Sequence, residues 1–234
     1  MSTMKPITKP WMLLRASAAF VKLVRDTSKL DEVFAILDTL EEHGAAEELT
    51  KQFTEAPEHD AVFSARPRVY PVDAAALARL PEGTLGRTFI DQMRMRQLNP
   101  DDIKLRPDGG TRAGYVFRHL RETHDVWHTA TGFDVDVAGE LGLQAFYLAQ
   151  FTSQLALVLL AVGLLNTAIF ELSDRDARMT AIADGWRLGR AARPLFGFDW
   201  AAHWSTPLSE VRSKLQIGSL TNAANTRAAL GVAA

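Results

Sequence analysis

The segment from Leu141 to Phe170 contains no aspartate, glutamate, lysine or arginine, and its centre, Leu155 to Leu165, reads LALVLLAVGLL. An uncharged run of that kind has two stable solutions. It crosses a bilayer as a helix of about 20 apolar residues, or it forms the central helix of a helical protein, apolar on every side because every side is packed. Gln144, Gln150, Thr152, Ser153, Gln154 and Asn166 interrupt the run, and no aromatic belt or asymmetric basic flank marks its ends. The segment therefore reads as a buried central helix around which the rest of the chain must wrap.

The flanking sequence is suited to that task. Helical periodicity begins near Trp11 and runs to Arg25. Ser28, with Asp31 three residues on, caps a second stretch whose apolar stripe is Leu30, Val33, Phe34, Ile36, Leu37 and Leu40, ending near His43-Gly44. Proline-punctuated, irregular chain is expected from Pro57 to Pro71. Asp73 then caps a short helix through Leu80, and a further helix runs to about Leu98 before Asn99-Pro100 stops it. Thr111 is the expected cap of a long helix reaching Thr131-Gly132, and the next starts near Val135. Ser173 opens another, bounded by Pro194 and Gly197, and Thr206-Pro207 precedes a last one through Leu215. No stretch alternates apolar and polar residues as a strand would. The expected fold is all-α, a single helical domain over residues 1–217 with a long buried apolar central helix and a flexible C-terminal tail over 218–234.

Composition narrows the chemistry. The 26 basic and 28 acidic residues balance to a formal charge of −2 without a basic stripe, which argues against a nucleic-acid partner. The 234 residues include no cysteine, which excludes disulfides, thiolate nucleophiles and iron–sulfur clusters and leaves His, Asp and Glu as metal donors. Lys5, Lys9, Arg15, Lys22 and Arg25 superficially suggest a transit peptide, yet Pro6 and Pro10 interrupt it and no cleavage site follows. A mature N-terminus in a bacterial-type cytoplasm is expected.

The long helix contains RETHDVWHTATG, which puts His124 and His128 four residues apart on one face, the spacing at which two imidazoles grip one metal ion. Asp125 is about 100° around the helix, either a ligand at the edge of the site or an orienter of an imidazole. The eleven residues TATGFDVDVAG separate His128 from Glu140. In a continuous helix Glu140 would lie roughly 18 Å along the axis from His128, so a joint site requires the chain to reverse at Gly132. Two imidazoles with one or two carboxylates suit zinc, manganese, iron or magnesium and leave positions for water or substrate. His43, His59, His119 and His203 have no partner at metal spacing and read as surface or capping groups, and no nucleotide-binding loop or serine elbow is present.

The string HDVWHTATGFDVDVAGE, His124 to Glu140, resembles the hallmark of the Coq-four family of ubiquinone (coenzyme Q) biosynthesis. It is joined by LPEGTLGRTF at Leu80 to Phe89, RHLRETHD at Arg118 to Asp125, and GWRLGRAARPLFGFDWAAHWSTPLSEVRSKLQI at Gly185 to Ile217. The resemblance covers nearly the whole chain apart from the tail. It implies a helical, metal-binding, peripherally membrane-associated protein whose ligands at matching positions are His124, Asp125, His128 and Glu140, with zinc foremost among the candidate ions. The implied activity is metal-dependent, oxidative decarboxylation of a polyprenyl-hydroxybenzoate at the carboxyl-bearing ring carbon. The alternative is a non-catalytic prenyl-lipid scaffold that organises other quinone-biosynthesis proteins. Phe146-Tyr147 stands where the family often has an acidic residue, and AAHW follows Trp200 in place of a charged run.

On that reading an isoprenoid tail lies along Leu143, Phe146, Leu148, Phe151, Leu155, Leu159 and Val162, with Arg118 or Arg121 as a countercharge for the head group. The expected partners are a prenylated aromatic precursor, the inner face of a membrane and a second copy of the chain.

Overall fold

The computed structural model describes residues 45–103 and 105–220, so the helices expected at Trp11 to Arg25 and Ser28 to Gly44, and most of the expected tail, lie outside it. Among the described residues the fold is all-α, without a strand. Helices α1 (Ala45–Thr54), α2 (Asp60–Ala65), α3 (Ala74–Leu77) and α4 (Leu85–Met95) lead into the long α5 (Arg112–Thr131). They are followed by α6 (Val137–Gln150), α7 (Gln154–Ile169), α8 (Arg175–Ala191) and α9 (Leu208–Leu215).

The caps explain most of these boundaries. Thr111 Oγ1 accepts the Gly114 N–H at the start of α5, Asp73 accepts the Ala76 N–H at α3, and Asp136 accepts the Gly139 N–H at α6. Gly132 ends α5 at φ +88°, a left-handed conformation that a Cβ disfavours. Two local expectations fail. Proline-rich residues 57–71 hold a formed helix, α2, and Thr206 does not cap α9. Its carbonyl instead accepts the Leu85 N–H at 2.9 Å, tying the approach to α9 onto the start of α4.

The uncharged segment folds as two helices instead of one. Phe151 is extended (φ −156°, ψ 162°), and Ser153 Oγ accepts the Ala156 N–H to start α7. The polar residues that interrupt the sequence make the break. Gln150 Nε2 donates to the Gly189 carbonyl (2.8 Å) while its Oε1 accepts the Leu195 N–H (2.9 Å). Gln52 of α1 brackets Thr152, accepting its N–H and donating to its carbonyl. Backbone groups freed at the break, on Thr152, and at and after the end of α8, on Gly189 and Leu195, thus find partners.

The halves differ in burial. Helix α6 is central, pressed on α5 through Trp127 against Phe146 and on α8 along a seam of small residues. The fit is close enough that a Cβ on Gly185 would come within 1.9 Å of the Gly142 carbonyl oxygen. Helix α7 buries Ala156, Leu160, Val162 and Gly163 but exposes Leu157, Val158, Leu164, Leu165 and Ile169, so the expected all-round burial holds only for α6. Among the described residues no single helix is long and apolar enough to cross a membrane. Helix α7 and the following run Leu172–Ala191 pass jointly but are bent by 117°.

The main core gathers Leu85, Phe89, Trp127, Leu143, Phe146 and Trp200, and a smaller cluster joins Phe53, Phe63, Tyr115, Val116 and Phe196. His119, expected at the surface, is fully buried beside that second cluster. Its Nε2 accepts the Gly197 N–H at 3.1 Å, and Nδ1 lies 3.2 Å from the Tyr115 hydroxyl. With Nε2 occupied as an acceptor in a dry site the ring is neutral, and burial lowers its pKa to about 4.

Candidate metal centre

His124 and His128 lie one turn apart on α5 with ring centroids 4.9 Å apart. Gly132 stops α5, residues 133–136 reverse the chain, and Asp136 starts α6, so Glu140 on the first turn of α6 returns to the histidine pair. Glu140 Oε1 lies 3.2 Å from His128 Nε2, and Oε2 lies 3.7 Å from His124 Nε2. Ligand atoms of these three residues all fall within 4.8 Å of one another. The reversal required by the sequence argument is therefore present, and it converts an eleven-residue gap into a contact.

The orientation of His128 is set by the backbone. Its Nδ1 lies 3.2 Å from the Phe133 carbonyl, which can only accept, so Nδ1 carries a proton, and a neutral ring, as metal ligation requires, then turns the Nε2 lone pair toward Glu140. Nε2 is buried and makes no hydrogen bond. A lone pair facing an ionised carboxylate in a buried position is an unsatisfied pair of acceptors. A cation between them resolves it, and the neutral imidazole–carboxylate donor set fits a divalent metal of the borderline class.

Asp125 stands outside this triangle. Its Oδ1 lies 3.3 Å from His124 Nδ1, the nitrogen turned away from Glu140, so in this geometry the carboxylate addresses the ring that Glu140 faces from the other side. Burial opposes the charged form of His124, but its hydrogen bond to Asp125 and the charges of Glu140 and Asp125 outweigh it and raise the pKa. Burial likewise works against ionised Glu140, yet contact with His128 and the neighbouring imidazoles hold its pKa below the usual value. Asp125 is held low against burial by His124, His128 and Arg96. Both carboxylates remain ionised, as ligation or imidazole orientation requires.

Tyr147 closes one side of the site. Its ring is stacked at 16° on both Trp127 (4.4 Å between centroids) and His124 (6.2 Å), and its buried hydroxyl has no hydrogen-bond partner among the described residues. Burial pushes the phenol pKa well up. Tyr147 follows Glu140 by seven residues and so shares its face of α6, a placement that the helical spacing alone encodes.

The remaining expected residues are dispersed. Arg118 Nε donates to buried Glu122 at 2.5 Å and Nη1 donates to the Arg106 carbonyl at 3.2 Å, committing this guanidinium elsewhere. Arg121 is partly buried on the helical face that carries His124 and His128. Leu143 and Phe146 are fully buried in the main core, and Leu148 and Phe151 are half-buried. Leu155, Leu159 and Val162 lie beyond the break on α7. These apolar residues are thus divided between α6, the break at Phe151 and α7. A small cleft does open beside the site between α4 and α5, lined among others by Phe89, Met93, Arg96, Asp125, His128 and Val135. Arg96 is distant in sequence and had no local signal.

Residues 4–221 match the model of the family described as coenzyme Q (ubiquinone) biosynthesis protein Coq4. The chain is 25% identical over 191 residues to the mitochondrial COQ4 homolog of Danio rerio, covering 80% of this chain and 69% of that protein. It is 27% identical over 211 residues to the Mus musculus homolog, covering 88% and 77%. The crystal structure of a protein assigned to ubiquinone biosynthesis from Nostoc punctiforme superposes with a TM-score of 0.73 at 30% identity, covering 88% of this chain and 99% of that one. The match runs through the helix pair that carries the histidines and Glu140 as well as through the core around them, and the chain belongs to the Coq4 family of ubiquinone biosynthesis proteins.

Proposed function

We propose that this ubiquinone biosynthesis protein removes the ring carboxylate of a prenylated hydroxybenzoate at a divalent cation, zinc foremost, held by His124, His128 and Glu140, with Asp125 orienting His124 or completing the ligand set. The observation that carries this reading is the buried, unbonded Nε2 of His128 facing Glu140 at 3.2 Å. When bound, such an ion supplies Lewis acidity toward charge on a carboxylate oxygen. The chain's own residues do the positioning. Phe133 and Asp125 fix the two imidazoles, and Trp127 and Tyr147 exclude water from one side. Loss of carbon dioxide leaves the bonding electron pair on the ring carbon, which takes up a proton; hydroxylation at that carbon needs dioxygen in addition.

A second reading, a non-catalytic protein that holds a prenyl lipid for other enzymes of the pathway, draws on the uncharged outer face of α7. Leu157, Leu164 and Leu165 there suit contact with a membrane surface. Native mass spectrometry with metal analysis on wild type and His124→Ala, followed by incubation with 3-geranyl-4-hydroxybenzoate, separates the two. The expected result is about one metal per chain, lost in the variant, with carbon dioxide released only by the metal-bound protein. Metal and lipid retained without turnover would favour the lipid-holding role, and turnover by a metal-free protein would sink the proposed chemistry.

A further inference from the structure

Arg96 occupies the end of α4, where the chain turns sharply. Gln97 adopts φ +58°, and the Leu98 N–H donates back to the Met93 carbonyl at 2.9 Å. This closure holds Arg96 at the wall of the cleft beside the metal centre, in company with Gln92, Asp125 and His128. The Arg96 side chain is only 20% exposed. Its Nη2 pairs with Asp134 Oδ1 at 2.7 Å, and among the described residues Nε and Nη1 take no partner. Asp134 itself is 69% exposed.

An ion pair whose acid is that open to water is worth little, about 0–1 kcal/mol, and is readily exchanged. A carboxylate arriving in the cleft would meet the same cation with less water around it and two donors to spare. The space between these side chains is about that of one water molecule, so a ring enters only by parting the walls, which are apolar. Phe89 and Met93 form an apolar wall, and Leu98 and Val135, exposed by 46% and 37%, make an apolar rim.

Resting on the decarboxylation reading above, we propose that Arg96 is the specificity-determining anchor for the substrate's carboxylate, exchanging its bond to Asp134 for one to the aromatic acid as the ligand enters between α4 and α5. Arg118, bonded to buried Glu122, does not serve this role. A guanidinium presents paired donors that match a carboxylate in a plane, which a lysine ammonium does not. The site thereby discriminates the acid from its neutral decarboxylated product and favours product release.

The test is calorimetric titration of the zinc-loaded protein with 3-geranyl-4-hydroxybenzoate and, separately, with 2-geranylphenol, the same molecule without its carboxylate. Wild type is expected to bind the acid about tenfold or more tighter than the phenol. Arg96→Gln lowers that preference about tenfold, to what the metal alone provides, leaving phenol affinity and zinc content unchanged, and Asp134→Asn strengthens acid binding. An acid preference undiminished in Arg96→Gln overturns the assignment while leaving the decarboxylation reading intact. Loss of zinc in that variant also overturns it, because Arg96 then serves Asp125. A wild type indifferent to the carboxylate overturns both ideas. Acid preference without carbon dioxide release, followed in parallel, refutes the chemistry and retains the anchor.

Discussion

His128 and Glu140 face each other across the end of one helix and the beginning of the next, Nε2 lying 3.2 Å from Oε1. The contact depends on the reversal at Gly132, whose φ of +88° is left-handed and where a Cβ would come 3.3 Å from Arg212 Nη2. Gly132→Ala is expected to cost about 1–2 kcal/mol in stability and to weaken zinc binding further by displacing Glu140. Gly132→Asn, which tolerates this conformation better, restores part of both. Thermal melts of metal-free protein and competitive zinc titration read the two effects separately.

Asp125 touches His124 on the nitrogen that Glu140 does not face. As an orienting carboxylate its loss weakens binding without abolishing it. Asp125→Asn is expected to lower zinc affinity by about 10–100-fold, whereas His124→Ala and His128→Ala lose stoichiometric zinc. Equal loss in all three variants would make Asp125 a ligand.

His119 gives the fold an acid sensitivity unrelated to the metal. Its folded pKa, about 4, lies below the ordinary 6.5, so the unfolded chain takes up a proton first as pH falls. The stability is fully present above pH 6.5 and is lost progressively toward pH 4, by an amount on the order of 3 kcal/mol. Metal-free His124, with a raised pKa, acts in the opposite sense, gaining stability as pH falls toward 6.5. The informative quantity is therefore the difference in urea-unfolding free energy between wild type and His119→Gln at pH 7, 6 and 5. That difference should shrink steadily on acidification.

Gly185 lets α8 approach the backbone of α6, which carries Glu140. A methyl group there must push the helices apart. Gly185→Ala is expected to destabilise the fold by about 2–3 kcal/mol and to reduce zinc affinity although it lies outside the site. Chemical denaturation and metal titration on the same preparation test whether packing and ligation are coupled in this way.

The outer face of α7 has no charge to repel an apolar surface. Leu157→Glu with Leu164→Glu should leave the melting temperature near wild type, since both side chains are exposed, while reducing co-sedimentation with lipid vesicles several-fold. A changed oligomeric state with vesicle binding intact would instead assign the face to a second copy of the chain.

Much of this was legible in the chain itself. The caps Thr111, Asp73 and Asp136, the stop at Gly132 and the i, i+4 pair His124/His128 are local features, fixed by which backbone groups a nearby side chain can reach. The all-α class and the need for a reversal before Glu140 followed from the same periodicity. Tertiary structure decided what depends on residues far apart. Gln52 reached Thr152 and satisfied backbone groups released where the uncharged segment divides into two helices, and Gln150 tied that break to the end of α8 at Gly189 and Leu195. Burial of His119 beneath Gly197, and the placement of Arg96 and Tyr147 around the metal centre, likewise arise from packing between separate helices. Periodicity states which face of a helix is apolar; only the packed fold determines what that face meets.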